Sequence, residues 1–306
     1  MNLNDKNYIN NNSDIVAGVD EVGRGPLCGP VVAAAVVLPN NSIIDGVNDS
    51  KKLSPKKRES LFDIISEQSL SVGIGIIHED KIDHVNILSG TMIAMRNAVD
   101  NLRVAPNLLL VDGNMKNITD IPQKNIIKGD SKSLSIAAAS IIAKVTRDRM
   151  MIEYDKIFPN YGLARNMGYG TKEHLSAIKK NFSTPIHRKS FKPILQYMPK
   201  FDDILDIRIL SIELAACKLV KAGHKIISIK NKKFKMIDIV SQSNNQYYVF
   251  KLYNDSKDNL DIMKNQIVNE CKTIPLENNI TSSINISVIS VQFSKDKPKI
   301  TFKDIS

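Results

Sequence analysis

Tryptophan is absent from the 306-residue chain, and cysteine occurs only at Cys28, Cys217 and Cys271. Three thiols, odd in number and far apart, make neither a disulfide framework nor a zinc spacing, and they fit a reducing compartment such as the cytoplasm. The longest apolar run, Val31 to Leu38, is too short to cross a bilayer. No basic segment followed by an apolar stretch opens the chain, so no secretory leader is expected. Hydrophobic content of 42% with 24% charged residues is ordinary for a globular protein with a sizeable core. The charge balance is lopsided, with 42 Lys and Arg against 32 Asp and Glu, a net of +10. Up to Lys200 there are 26 basic and 20 acidic residues, and beyond it 16 and 12, so both parts favour a polyanionic partner.

The Asn-rich opening reads as a disordered tail over residues 1–13. Apolar runs at Ile15–Val19 and Val31–Leu38 read as buried strands joined by a Gly/Pro-rich turn. Ser54-Pro55 reads as the cap and first residue of a helix to about Ser66. The alternation of Gly with aliphatics in Ser71–Ile77 predicts a third strand, with close backbone approach at its glycines. A helix is expected from Ser89 to Arg103, strands over Asn107–Val111 and Ile126–Asp130, and a long alanine-rich helix from Ser133 to Lys156. This pattern predicts an α/β mixed sheet flanked by helices over 14–200, and it stops near Met198-Pro199-Lys200. A second, smaller α/β domain is expected over 204–306. There Ile209–Ala222 and Asp258–Lys272 read as helices, and strands are expected at Lys225–Ile229, Met236–Val240, Tyr247–Tyr253, Ile284–Phe293 and Lys299–Phe302.

Acids close three predicted strands of the first domain: Asp20-Glu21, Asp112 and Asp130. Each has a bland reading. Asp20-Glu21 would serve as a solvated strand-to-turn corner, Asp112-Gly113 as a turn, and Asp130 as a helix N-terminal acid. Neighbouring strand residues also point to opposite faces, so Asp20 and Glu21 share a site only if the strand twists, ends or lets Glu21 bend back. Only the set is specific. Four carboxylates at strand ends, where open sheets bind ligands, make a hard-oxygen site for Mg²⁺ or Mn²⁺ suited to in-line phosphoryl displacement.

Val16-Ala17-Gly18-Val19-Asp20-Glu21-Val22-Gly23-Arg24-Gly25-Pro26-Leu27 resembles the signature of bacterial ribonuclease HII. Further matching blocks follow in order: Asp49-Ser50-Lys51-Lys52-Leu53, Val111-Asp112-Gly113-Asn114, Lys128-Gly129-Asp130, Ala137 to Asp148, Gly168 to His174, and His187-Arg188-Lys189-Ser190-Phe191. The resemblance spans about residues 14 to 195. It implies a ribonuclease-H-like fold, cleavage of the RNA strand of RNA/DNA hybrids, and incision of duplex DNA on the 5′ side of an embedded ribonucleotide. It puts the family's catalytic acids on Asp20, Glu21, Asp112 and Asp130, with Asp20, Glu21 and Asp112 as metal ligands. It implies that the backbone of Gly23 and Gly25 meets the 2′-OH, that Arg24 reaches phosphate or sugar, and that Tyr169 stacks on the following sugar. Ser50, Lys51 and Arg188 are substrate contacts in the same picture, and Lys144, Arg147 and Lys189 are candidate phosphate contacts. His174 and His187 are read as structural or phosphate-contacting. Cys28 stands where the family usually has a small residue and is read as packing; Ser131 replaces a common alanine.

From about Ile209 the chain weakly resembles an uncharacterised bacterial family with a restriction-endonuclease-like fold. The matching pieces are Glu213-Leu214-Ala215-Ala216, Gly223 to Ile227, Ile237 to Val240 and Tyr248-Val249-Phe250. Its metal pattern is broken, because the expected carboxylate and lysine fall on Lys251 and Tyr253. Asp238 beside Lys251 therefore reads as an ion pair, and this domain is expected not to cut nucleic acid. Its basic strip Lys230 to Lys235 either holds nucleic acid or forms a solvated hairpin. Two rival functions stand beside the leading one: a binding protein with a decayed site, and another phosphoryl-transfer nuclease on the same fold.

Overall fold

Five strands form the first sheet of the computed structural model: β1 (Val16–Val22), β2 (Val31–Val37), β3 (Ser71–Ile77), β4 (Leu108–Asp112) and β5 (Gln123–Ile126). The structure describes residues 3–9, 15–40, 42–47, 50, 53–204, 206–253, 259–274, 284–293 and 298–305. Strand order is β3-β2-β1-β4-β5, with β1, β2 and β3 antiparallel and β1, β4 and β5 parallel. The helices that follow in the chain are α1 (Pro55–Gln68), α2 (Glu79–Val85), α3 (Ile87–Asp100), α4 (Leu134–Ile157), α5 (Leu163–Asn166), α6 (Lys172–Asn181) and α7 (Lys192–Leu195). Ser54 caps α1 by accepting from the Lys57 amide, as the Ser-Pro pair predicts.

The sheet is apolar on both faces because both are covered. Odd-numbered residues of β1, Ala17 and Val19, pack with Met95, Ala98 and Val99 of α3. Val32, Ala34 and Val36 of β2 face Leu61 and Ile65 of α1 and the alanine-rich turns of α4. A Cβ at Gly73 or Gly75 would strike the backbone carbonyls of Ala98 and Ala94, which accounts for the glycine alternation in β3.

Two expectations need correction, and one element was not expected. The helix predicted over Ser89–Arg103 is α3, but the short helix α2 precedes it, set apart at Asn86, whose φ of 70° leaves the helical region while its side chain caps the Ser89 amide. The strand predicted over Ile126–Asp130 lies earlier, at β5. Lys128 there has a left-handed φ of 56°, and Gly129–Ser131 is a 3-10 turn. The polar opening is not all tail. Asp5–Tyr8 form a 3-10 turn, and the Asp5 carboxylate accepts from the Ser133 hydroxyl and the Ser135 amide.

A second sheet has the order β10-β9-β8-β7-β6, built from β6 (Lys225–Ile229), β7 (Ile239–Ser243), β8 (Gln246–Leu252), β9 (Asn285–Gln292) and β10 (Lys299–Asp304). Only β8 and β9 pair in parallel. Two helices accompany it, α8 (Ile207–Lys221) and α9 (Leu260–Cys271). Two compact units result. The first comprises Met1–Met151, Asn166–Lys179 and Ile186–Tyr197; the second comprises Ile152–Arg165, Lys180–Pro185 and Met198–Ser306. The division therefore differs from a simple cut near residue 200. Within the second unit, Glu153 accepts from the Ile226 amide and Lys156 donates to the Ile226 carbonyl, so the last turns of α4 serve the edge strand β6.

Candidate active site

Register sets the relation between the predicted acids. In the parallel pair β1/β4, Val19 lies opposite Val111, so Asp20 and Asp112 follow at the same level and on the same face. That face carries α4. A Cβ on Gly18 would overlap the α4 backbone at Ser135 and Ile136. Two strand residues and four helix residues advance by similar amounts, roughly 6–7 Å, so Asp20 comes level with Ser140. Ser140 does hydrogen-bond to Asp20, and its hydroxyl also lies 2.8 Å from that of Ser50. The Glu21 amide donates to Asp20 Oδ1 at 2.7 Å, and the Gly129 amide donates to Asp112 Oδ1 at 2.6 Å.

The local electrostatics are unfavourable to charge. Burial, and then the neighbouring Glu21 and Asp112 carboxylates, hold the Asp20 carboxyl well above the usual range. Burial also raises Glu21; Arg24, 3.3 Å away, opposes that shift, and Asp112 adds to it. Glu21 lies inside β1 and so starts from the opposite face to Asp20, yet its carboxylate still acts on Asp20 and feels Asp112. Asp130 sits half-buried on the 3-10 turn after β5. Among the described residues, no three of the four carboxylates bring oxygens within 4.8 Å of one another. The donor set is nonetheless all oxygen and anionic, and among the described residues no cation offsets the buried Asp20, so the set fits a hard divalent ion.

Residues 17–194 match the family model described as ribonuclease HII. The chain belongs to the ribonuclease HII family. It is 57% identical over 177 residues to the ribonuclease HII of Acetivibrio thermocellus, covering 58% of this chain and 69% of that protein. Against the ribonuclease HII of Enterococcus faecalis it is 55% identical over 180 residues, covering 59% and 70%. The crystal structure of ribonuclease H2 from Pyrococcus horikoshii superposes with a TM-score of 0.53 at 28% identity, over 60% of this chain and 96% of that one.

Other residues of the ribonuclease HII segment occupy places that the motifs alone did not disclose. Arg188 is not an exposed phosphate contact. It is fully buried, and its guanidinium makes six hydrogen bonds to the carbonyls of Gly23, Arg24, Pro26, Gly29 (twice) and Pro30. Burial, with Arg147 nearby, lowers it to about 10. Arg147 is equally buried and donates to the carbonyls of Cys28, Pro30 and Met167. The two arginines hold the Gly23–Pro30 loop from within, because that loop has too few strand partners to satisfy its own carbonyls. Gly23 belongs to this packing: its φ is +95°, and a Cβ there would strike Arg147 rather than leave space for a ligand.

Gly25 faces outward, and its nearest neighbour is the Tyr169 ring at 3.6 Å from a built Cβ. Tyr169 is 44% exposed, so the predicted loop and tyrosine form one surface. Ser50 is buried behind Asp20 in the Ser50–Ser140 pair, a supporting position rather than a substrate contact. Lys51 lies outside the described residues. Lys144 is paired with Asp148 at 2.8 Å, whereas Lys189 is exposed. Ser140 lies in the matching block Ala137 to Asp148 but carries no assigned role there, although it is the one hydroxyl in the apolar run Ile136–Ala143.

In the second unit, Asp238 is buried. It pairs with Arg208 and, at 3.7 Å, with Lys251, and it accepts from the Leu252 amide. Glu213 pairs with Lys230 at 2.6 Å. The ion pair expected from the sequence is present, with Arg208 as an additional partner.

Proposed function

We propose that the acid-lined end of the β1/β4 pair is the active site of an endoribonuclease. It would cleave the RNA strand of RNA/DNA hybrids and incise duplex DNA 5′ of embedded ribonucleotides. Membership of the ribonuclease HII family supports ribonuclease H activity. The observation that carries the reading is the buried Asp20 carboxylate, level with Asp112 and fixed by Ser140 and the Glu21 amide. Asp20, Glu21 and Asp112 would hold Mg²⁺ or Mn²⁺, with Asp130 completing the catalytic acids. Bound there, a pair of such cations supplies an activated water and charge neutralisation at the leaving oxygen.

The chain's own residues do the positioning. Ser140 and the Gly129 amide orient Asp20 and Asp112, and Glu21, paired with Arg24 in this structure, would give up that pair to hold the cation. Arg24 is then available to a phosphate. The exposed backbone around Gly25 meets the 2′-OH, and Tyr169, against the same loop, stacks on the next sugar. Arg147 and Arg188 act through that loop, not on the substrate. The second unit is read as a non-catalytic, restriction-endonuclease-like domain whose Lys230 to Lys235 strip contacts nucleic acid, in a cytoplasmic protein.

The test is cleavage of a duplex carrying one ribonucleotide, with Mg²⁺ or Mn²⁺ and an EDTA control. Asp20→Asn should lose at least about 10³-fold in rate while retaining hybrid binding. A wild-type chain that binds hybrid but never cuts it would favour the decayed-site alternative.

A further inference from the structure

Cys28, His174 and His187 are all fully buried, and one donor atom from each lies within 4.8 Å of the other two. They are the single such group of three or more His, Cys, Asp or Glu among the described residues. Their convergence follows from the backbone. Cys28 and His187 form an isolated antiparallel bridge, which sets their side chains beside each other. His174 enters from the first turn of α6, whose start is capped by Thr171. Its Nδ1 lies 2.9 Å from the Tyr169 carbonyl, and its Nε2 lies 3.1 Å from His187 Nε2.

These contacts assign the protons. A carbonyl only accepts, so His174 Nδ1 carries hydrogen and its Nε2 presents a lone pair. The imidazole–carbonyl bond is also the outer contact that usually orients a metal-bound histidine. Tetrahedral zinc, with bonds of about 2.0–2.1 Å to nitrogen and 2.3 Å to sulfur, places neighbouring donors roughly 3.3–3.6 Å apart. The two Nε2 atoms already stand near that spacing.

We propose that Cys28, His174 and His187 supply three of the four ligands of a site for a thiophilic divalent cation, zinc by ligand chemistry, separate from the all-oxygen acid set. Binding releases the Cys28 thiol proton as the Zn–S bond forms. The proton between the imidazoles moves to His187 Nδ1, so that both Nε2 lone pairs face the ion. One thiolate and two imidazoles select zinc over Mg²⁺, which takes oxygen ligands. The ion would rivet the Cys28 loop, the start of α6 and the segment carrying Arg188 directly beneath Tyr169. The inference stands on this geometry and not on the role assigned to the acids.

The full chain, expressed in zinc-supplemented medium and dialysed against excess Mg²⁺ to clear the acid set, should retain about one zinc per chain. Cobalt-loaded protein should show the near-ultraviolet thiolate-to-Co²⁺ band. Cys28→Ala installs the small residue usual at this position and should keep the wild-type circular dichroism. It should lose the cobalt band and at least about tenfold in retained zinc, whereas Asp20→Asn should lose neither. Wild-type protein free of zinc after that treatment would overturn the site, leaving a hydrogen-bonded histidine pair beside a packed thiol. Equal zinc in wild type and Cys28→Ala would overturn it as well.

Discussion

Asp20 in the first unit and Asp238 in the second are both buried aspartates next to apolar strands, and their surroundings are opposite. Asp238 has Arg208 and Lys251 beside it, so its charge is balanced from within. Asp20 has hydroxyl and amide donors but two further carboxylates as its electrostatic neighbours. Folding alone would not keep the second arrangement, because buried like charges cost free energy that no internal partner returns. The balanced acid stabilises a fold; the unbalanced one is the acid suited to a ligand.

That contrast can be broken in several ways. The largest expected difference lies in cleavage: Asp112→Asn, like Asp20→Asn, should lose at least about 10³-fold, whereas Asp238→Asn should cut a single-ribonucleotide duplex at the wild-type rate. A matching loss at Asp238 would erase the distinction between the two acids. Next comes Arg188→Ala, which leaves the buried loop carbonyls without donors and should cost about 3–5 kcal/mol, read as a lowered urea midpoint. Arg188→Lys should not rescue it, since an ammonium has three donors where the guanidinium spreads five over these carbonyls. An unaltered midpoint would return Arg188 to the surface.

Tyr169→Ala should then reduce incision at a lone ribonucleotide about tenfold, and cleavage of a long hybrid by less. Equal losses on the two substrates would remove its role at the junction. The smallest effect concerns pH. A carboxyl raised in the folded chain favours folding below its ordinary range, and that contribution disappears as pH rises through the raised value. In EDTA, Asp20→Asn should therefore raise the melting temperature by about 2–4 °C at pH 8 and by less at pH 5. Saturating Mg²⁺ should narrow the pH 8 gap, because the cation stabilises only the wild type. A shift independent of pH would mean that Asp20 is not held charged against its environment.

Strands β1, β2, β3 and β4 and helix α4 were legible in the sequence because each is an uninterrupted apolar or alanine-rich run between turn residues. Asp112 does close such a run, whereas Asp20 and Glu21 lie inside β1 and Asp130 on the turn after β5. Helix α2 was not legible because it is only seven residues long and its cap, His78, makes no side-chain capping bond. Arg147, Arg188 and Ser50 look like surface polar residues in a motif, and nothing local reveals that they lie inside. Their partners are backbone carbonyls and a serine distant in sequence, which only the folded chain brings near. The same distance separates Cys28 from His174 and His187, so the spacing rules that recognise metal sites do not reach them.

Gly18 bears on all of this through tolerance rather than chemistry. The spacing between β1 and α4 is fixed by a missing methyl group, since the helix backbone rests where a Cβ would stand. Substituting alanine would wedge the helix outward and carry Ser140 off Asp20 without altering any reacting group. The precision of the site is in this sense a machining tolerance, set by the one residue of β1 that has no side chain.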